Sequence, residues 1–254
     1  MKKILTLFCL MIGLFATAQE AVDTMYIYGS DRTIERIAVA RIDSVTFTPP
    51  VGVEQPSYPP LTGDYEAVDL GLSVKWAAYN VGAAKPEEYG GYYAWGETEE
   101  KENCSWSTYK WCCGSSTTLK KYSVDGYYGV RDNNSILDPS DDVAHVKWGG
   151  KWRVPTTMEQ RELLDNCSWQ WTTLNGVCGY LVTSKINGKS IFLPAAGVRD
   201  GGEVVYPGCG GCYWSASLCG DSSDTAYFLC TYDVFFDWVN FYRCAGFSVR
   251  AVTE

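Results

Sequence analysis

The sequence contains few of the residues that most often carry catalysis or bind nucleic acid. Its 254 residues include one histidine, His145, and 21 Lys and Arg against 30 Asp and Glu, a formal net charge of −9. Histidine is the usual acid–base residue near neutral pH. No nucleophile motif such as G-x-S-x-G lies near His145, so we expect it to be a surface or structural residue. The negative charge disfavours nucleic acid and anionic membranes as partners.

Long hydrophobic runs are also missing. The longest apolar segment, residues 4–15, follows Lys2 and Lys3 and precedes an Ala-Thr-Ala sequence at 16–18. It is shorter than the roughly 20 residues of a membrane-spanning helix. A basic start, an apolar centre and an A-x-A site are typical of a secretory signal peptide. We therefore predict that residues 1–18 are removed, that the protein is secreted or held at the cell surface, and that loss of the two lysines changes the net charge from −9 to −11.

Ten of the 11 cysteines lie beyond this signal peptide. In an exported protein, such a number predicts a disulfide framework, whose connectivity the sequence does not determine. Cys209 and Cys212 have C-x-x-C spacing, but no second C-x-x-C supports a zinc site and no βαβ pattern supports a redox site.

The chain is predicted to contain a small N-terminal β unit, a linker and one larger domain. Residues 22–48 hold three candidate strands, at 25–28, 34–39 and 42–47. Residues 49–62 hold five of the ten prolines, which favours an extended, semi-rigid spacer. The main domain then covers residues 63–254.

Strands and loops dominate the main domain, with one clear helix. Thr156 and Glu159 fit a capping box, so the helix is predicted to start near Thr156 and end near Asn166. A turn at Asn187-Gly188 separates two β-rich segments, which predicts a hairpin. The other strand candidates are 68–70, 74–77, 92–95 and 247–252, the last with the alternation of a half-buried strand. Residues 86–89 could form one helical turn, and 97–145 are expected to be long ordered loops. The fold class is therefore α+β.

Two further sets of residues are expected to have structural roles. The tryptophans of the main domain are expected to be core residues: Trp76, Trp95, Trp148, Trp152, Trp169 and Trp171. Arg153 and Arg243 are expected to be structural hydrogen-bond donors.

Several phrases carry a resemblance to a known family: VDLGLSVKWAAYNVG, YYAWGE, WGGKWRVPTTMEQRELL, SIFLPAAGVRDGG, YWSAS and GFSVRAV. Over roughly residues 65–254 the chain resembles the Fibrobacter succinogenes major paralogous domain, which is similar to the C-type lectin-like fold. The resemblance implies a C-type lectin-like domain with short strands, long ordered loops and one or two helices. The preceding β segment resembles one common on exported proteins of Bacteroidetes-type bacteria.

The stretch 208–245 has an unusual composition. In its 38 residues it holds five Cys, four Tyr, four Phe and four Asp, but no Lys, Glu, Gln or Met. It resembles the variable region of proteins diversified by diversity-generating retroelements, in which adenines of a template are miscopied. AAC or AAT codons mutated at their first two positions cannot produce Lys, Glu, Gln, Met or Trp. The resemblance implies fixed scaffold positions at Trp214, Leu218, Ala226, Tyr227, Leu229, Trp238, Arg243 and Gly246.

The positions between these scaffold residues are the predicted ligand-binding surface: Cys219, Gly220, Asp221, Asp224, Phe228, Cys230, Tyr232, Asp233, Phe235, Phe236, Asp237, Val239, Asn240, Phe241, Tyr242, Cys244 and Ala245. Aromatic side chains of this kind dominate binding hot spots. The four aspartates predict a basic or amphipathic partner, and protein is favoured over sugar. The protein is thus predicted to bind a surface ligand without being an enzyme, and no cofactor is expected.

Alternatives remain open. The stretch could lack four residue types by chance, with its cysteines in disulfides. The fold is also similar to formylglycine-generating oxidases, which use a late cysteine pair and a copper ion. A glycan-binding lectin would need calcium ligands. Trp238-Val239-Asn240 lacks the Asp that would complete the lectin motif, and the acidic loop at Asp138, Ser140, Asp141 and Asp142 has no EF-hand pattern.

Overall fold

The structure is a computed structural model. It describes the backbone at 24–28, 34–38 and 235–238, and backbone with side chains at 65, 67–232 and 239–254. The chain divides into two units, 1–57 and 58–254, which are described separately. The predicted signal peptide, the third N-terminal strand at 42–47 and the whole linker at 49–62 lie outside the described residues.

The N-terminal unit contains a two-stranded antiparallel hairpin. β1 (Thr24–Tyr28) pairs with β2 (Ile34–Ala38), with Tyr28 opposite Ile34 and Thr24 opposite Ala38. Both strands are rich in β-branched and aromatic residues, and Gly29-Ser30-Asp31 between them is a turn sequence. The first two predicted strands are therefore confirmed.

In its described residues, the larger unit is built from small antiparallel sheets and two α-helices, which confirms the α+β class. A short 3₁₀ turn, Pro139–Asp141, precedes α1 (Val143–Trp148) and α2 (Thr157–Asn166). The strands are β3 (Ala67–Val68), β4 (Lys75–Ala77), β5 (Cys167–Leu174), β6 (Val177–Ser184), β7 (Ser190–Pro194), β8 (Val198–Asp200), β9 (Glu203–Val205), β10 (Gly210–Leu218), β11 (Thr225–Tyr232), β12 (Phe235–Tyr242) and β13 (Val252–Thr253). Their sheets have the orders β13-β4-β3, β5-β6-β7, β8-β9 and β10-β11-β12.

The sheet β10-β11-β12 lies between two hydrophobic clusters. Because side chains alternate along a strand, Cys212, Trp214 and Phe228 face one cluster, while Tyr213 and Leu229 face the other. All nine residues of β10 are buried. The unusual stretch therefore supplies the centre of the core as well as part of the surface.

Helix α2 begins at the predicted capping box. The Thr156 hydroxyl accepts a hydrogen bond from the Glu159 amide at 3.3 Å, and the Glu159 carboxylate accepts one from the Thr156 amide at 2.7 Å. The buried Gln160 amide donates to the carbonyls of Tyr213 and Trp214, so α2 is fastened to β10. The predicted helix and the β6–β7 hairpin are both confirmed.

Some local predictions are wrong. Residues 97–145 are not only loops, because α1 starts at Val143, with the Asp142 carboxylate accepting from the His145 amide at its N-terminus. Residues 86–89 contain a turn but not the predicted turn of helix. Residues 247–252 are buried throughout, so they are not the predicted half-buried strand. They form isolated β-bridges in place of a regular strand, and both of their faces are covered.

Only two of the six tryptophans assigned to the core are fully buried. Trp76 and Trp95 are each 1% exposed. Trp148, Trp152, Trp169 and Trp171 are partly buried and pack against the outside of the two clusters. Their large rings extend beyond the core edge, which is common for tryptophan.

Candidate ligand-binding surface

The predicted binding residues divide into a buried and an exposed group. Five are core residues, which corrects their assignment to the surface: Cys219, Phe228, Cys230, Cys244 and Ala245 have relative exposures of 3%, 5%, 7%, 7% and 1%. Phe228 packs against the stacked rings of Trp214 and Phe247, with centroids 5.9 and 4.7 Å away. A ligand on this surface cannot reach these five side chains.

The reason for this burial is the position of β11 in its sheet. β11 pairs with β10 on one side and with β12 on the other, and core clusters cover both faces near its centre. Residues next to scaffold positions are therefore as buried as the scaffold itself. Among the predicted binding residues whose side chains the structure describes, the exposed ones lie on the loop after β10 and at the end of the outer strand β12.

The exposed group lies on that loop and on the last part of β12. Gly220, Asp221 and Asn240 are exposed, as are Phe241 at 40% and Tyr242 at 49%. Asp224, Tyr232 and Val239 are partly buried. Asp233 lies outside the described residues, and for Phe235, Phe236 and Asp237 only the backbone, within β12, is described.

A second segment, which the sequence did not single out, completes the exposed surface. The Trp106 ring lies 6.1 Å from that of Tyr242, edge to face. The Tyr128 hydroxyl is 2.8 Å from that of Ser222. Tyr127, 71% exposed, lies beside Tyr128 with ring centroids 5.1 Å apart. We call the five aromatic residues Trp106, Tyr127, Tyr128, Phe241 and Tyr242 the aromatic rim.

The rim rests on a small cluster of its own. Trp106 and Tyr128 both pack against a buried cluster that includes Cys112, Leu119 and Cys244. No local signal in 97–145 indicated the contact between Trp106 and Tyr242, because these two residues lie more than a hundred positions apart in the chain. The only available clue was the presence of Trp and Tyr in an otherwise polar segment.

Arg243 connects the segments of the surface through hydrogen bonds, in agreement with its predicted structural role. Its guanidinium is fully buried. It donates to the Tyr109 hydroxyl at 2.7 Å and to the carbonyls of Tyr122, Ser223 and Lys121 at 2.7–2.9 Å. The charge also lies 5.1 Å from the ring centroid of Trp95. Arg243 therefore fixes the loops at 121–123 and 222–224 beside the end of β12.

The loops beside the rim carry exposed acidic groups, together with exposed Lys120 and Arg131 near Tyr128 in the chain. Asp221 and Asp125 are exposed, and the Ser222 hydroxyl donates to the Asp224 carboxylate. The Lys121 ammonium bonds the carboxylates of Asp138 and Asp141 and is thereby largely neutralised. Arg243 is buried and presents no charge to solvent.

The other chemical candidates are held in structural contacts. His145 lies in α1, and the carboxylate of Asp142 caps that helix and accepts from the Val154 amide at 2.8 Å. Within the described parts of the chain, no group of three or more His, Cys, Asp and Glu could hold a metal ion. Cys209 is exposed while Cys212 is buried opposite Cys230, so the C-x-x-C spacing does not form a pair.

The ten cysteines beyond residue 18 form no disulfide in this structure, in contrast to the predicted framework. Burial raises the pKa of Cys104 and Cys167 to about 11 and that of Cys244 to about 12. Such thiols stay protonated at neutral pH and are poor nucleophiles.

Comparisons with known proteins give no relative: no family model, no curated protein and no solved structure matches the chain. Over the described residues, none of the helices has the length and apolar character needed to cross a membrane.

Proposed function

We propose that this is an exported, non-enzymatic ligand-binding protein with a C-type lectin-like domain, and that the aromatic rim is its binding surface. The observation that carries the proposal is the exposure of Phe241 and Tyr242 beside Trp106 on a rigid support. Exposed aromatic clusters of this kind are costly in a soluble protein unless they bind something. Tyr and Trp are the side chains that most often dominate binding energy.

The support beneath the rim favours binding over catalysis. Arg243 and the cluster of Cys112, Leu119 and Cys244 hold the rim in place from below. A pre-organised surface loses little conformational entropy when it binds. The alternative oxidase reading needs a reactive late cysteine, whereas burial raises the pKa of Cys244 to about 12.

The proposed ligand is a protein with a basic or amphipathic surface. Asp125, Asp221 and Asp224 lie in loops that contact Tyr127 and Tyr128 of the rim, which suits basic groups and apolar side chains together. We further propose that the surface is diversified: Gly220, Asp221, Asn240, Phe241 and Tyr242 are all obtainable from AAC or AAT codons and are exposed or close to solvent.

The binding proposal is tested by capture from a cell-surface protein extract. The protein is immobilised, retained proteins are identified by mass spectrometry, and each is purified and titrated. Tyr242→Ala should weaken the captured interaction at least about 30-fold, as expected for a hot spot of about 2 kcal/mol. Met158→Ala, on an exposed part of α2, is the matched control and should bind as the wild type does.

Equal affinity of the Tyr242→Ala variant and the wild type would place the site elsewhere. Diversification has a separate test in the gene. The proposed variable codons should end in C or T, and a near-copy differing at adenines should lie beside a reverse transcriptase gene. Absence of both would reject diversification and leave the binding proposal standing.

A further inference from the structure

Cys212 and Cys230 lie directly opposite each other on neighbouring antiparallel strands, β10 and β11. Both side chains belong to the same hydrophobic cluster, with exposures of 6% and 7%. The other cysteines in described ladders and bridges face different residues. Cys104 is opposite Gly201, Cys112 opposite Leu119, Cys167 opposite Ser184, and Cys178 opposite Thr173.

Backbone hydrogen bonds show which kind of cross-strand pair this is. The Ser248 amide donates to the Cys212 carbonyl at 3.0 Å, and the Trp214 amide donates to the Ser248 carbonyl at 3.1 Å. The amide and carbonyl of one strand residue point to the same side. The backbone groups of Cys212 therefore face Ser248 and point away from β11, so Cys212 and Cys230 are a non-hydrogen-bonded pair.

This pairing has the separation that a disulfide needs. Non-hydrogen-bonded pairs in antiparallel sheets have Cα atoms about 4.5 Å apart, with side chains close together. Disulfides span Cα separations of about 4.4–6.8 Å. The two thiols also hydrogen-bond each other. We propose that Cys212 and Cys230 are a disulfide site that links β10 to β11 within the hydrophobic core.

The reaction is a thiol–disulfide exchange with a disulfide donor such as oxidised glutathione. One protein thiol loses its proton, and the thiolate attacks the donor, forming a mixed disulfide and releasing one donor thiol. The second protein thiolate then attacks the mixed disulfide and releases the other donor thiol. Two protein thiols are oxidised to one disulfide, and the donor disulfide is reduced to two thiols.

The folded environment slows this exchange. The hydrogen bond that the Cys212 thiol donates to Cys230, together with burial, raises the pKa of Cys212, so little thiolate exists at neutral pH. The bond should therefore form while the sheet assembles, and in the folded protein it should resist reduction. The disulfide would link the two strands of the β10–β11 pair. On its other side, β11 pairs with β12, the strand that carries Phe241 and Tyr242.

The test begins with the exported protein folded in glutathione redox buffer. Remaining thiols are alkylated in denaturant, and the protein is digested without reduction. Mass spectrometry should find a peptide that joins Cys212 to Cys230, and the thermal midpoint should fall by about 6–12 °C when the protein is refolded in reductant.

Three variants separate a disulfide from ordinary core packing. In the Cys212→Ala/Cys230→Ala double variant, the thermal midpoint should no longer depend on the redox condition. Each single variant should leave one additional alkylated cysteine. Cys167→Ala removes a buried cysteine that faces Ser184 and should keep the full redox-dependent shift.

Two results would overturn the proposal: alkylation of both Cys212 and Cys230 after oxidative folding, or equal amounts of several different pairings. The disulfide test does not depend on ligand binding. The disulfide proposal can therefore fail while the proposed function stands, and the proposed function can fail while the disulfide proposal stands.

Discussion

Arg243 and Arg250 are among the largest fully buried side chains in the described part of the molecule. A buried guanidinium is tolerated only when its donors are satisfied. Arg250 donates to the Asn80 side chain and to the carbonyls of Ala77, Ala78 and Phe192, and burial lowers its pKa to about 10. Arg243 performs the same task beneath the rim. Each joins segments that lie far apart in the chain.

Arg243→Lys should destabilise the larger unit by about 2–4 kcal/mol. A single ammonium cannot reproduce the planar fork that bonds Tyr122, Ser223 and Lys121 together, and each buried carbonyl left without a donor costs about 1–3 kcal/mol. The measurement is urea unfolding followed by tryptophan fluorescence. Arg161→Lys, at an exposed position on α2, is the control and should change stability by less than about 0.5 kcal/mol. A similarly small change at Arg243 would contradict its proposed role.

At the scale of single elements, α2 shows how contacts between nearby residues stabilise the first turn of a helix. The Glu159 carboxylate accepts from Thr156 and forms a two-point pair with the Arg153 guanidinium. Burial alone would raise the pKa of Glu159, but these hydrogen bonds outweigh it and lower the pKa below 4.5. The ionised carboxylate therefore stabilises the folded state, and protonation removes that contribution.

Glu159→Gln should cost about 1 kcal/mol at pH 7, and this cost should shrink in acid. The contribution is complete above the ordinary pKa of about 4.5 and is lost as pH falls through the lower pKa of the folded state. Urea unfolding of both proteins from pH 7 down to about pH 3 measures the difference. Asp165→Asn, an exposed change near the end of the same helix, serves as the control. A pH-independent difference for Glu159→Gln would contradict this account.

The strand β12 carries the exposed end of the candidate surface. Its pairing with β11 is regular along its whole length, from Thr225–Tyr242 to Tyr232–Phe235. Its position at the outer side of the three-stranded sheet leaves its last residues open to solvent. A sheet edge of this kind displays side chains on a backbone that neighbouring strands keep fixed, which suits a binding surface.

At the scale of the whole molecule, the net charge bears on the proposed partner. The net charge of −11 expected after signal cleavage follows from the −9 of the full chain, and exposed aspartates lie next to the rim. A protein with this field attracts basic partners over distances set by the Debye length.

Capture of a protein partner should therefore weaken with salt. Raising the salt from about 0.05 M to about 1 M should slow association more than it speeds dissociation, because rim charges act mainly on encounter. Surface plasmon resonance on the captured partner measures both rates. Asp221→Asn should reduce the salt dependence, whereas Asp165→Asn, on α2, should not. Association rates independent of salt would favour an apolar contact alone.

Several features were predictable because they depend on nearby residues. Thr156 and Glu159 form their capping box within one helical turn, and Asn187-Gly188 turns the chain between β6 and β7. The structural role of Arg243 was also predicted, although its partners were not. Features with long-range causes were missed, such as the burial of Phe228, which follows from the central place of β11.

The amino-acid sequence by itself determined the α+β class, the start of α2, the first N-terminal strands and the stretch from which much of the candidate surface comes. Only the tertiary structure decided which residues of that stretch are exposed, that Trp106 and Tyr128 join them, and that Cys212 faces Cys230. The physical reason is that helix caps and turns arise from contacts within a few residues. Exposure depends on which strands and loops pack together, and those contacts span more than a hundred residues between Trp106 and Tyr242.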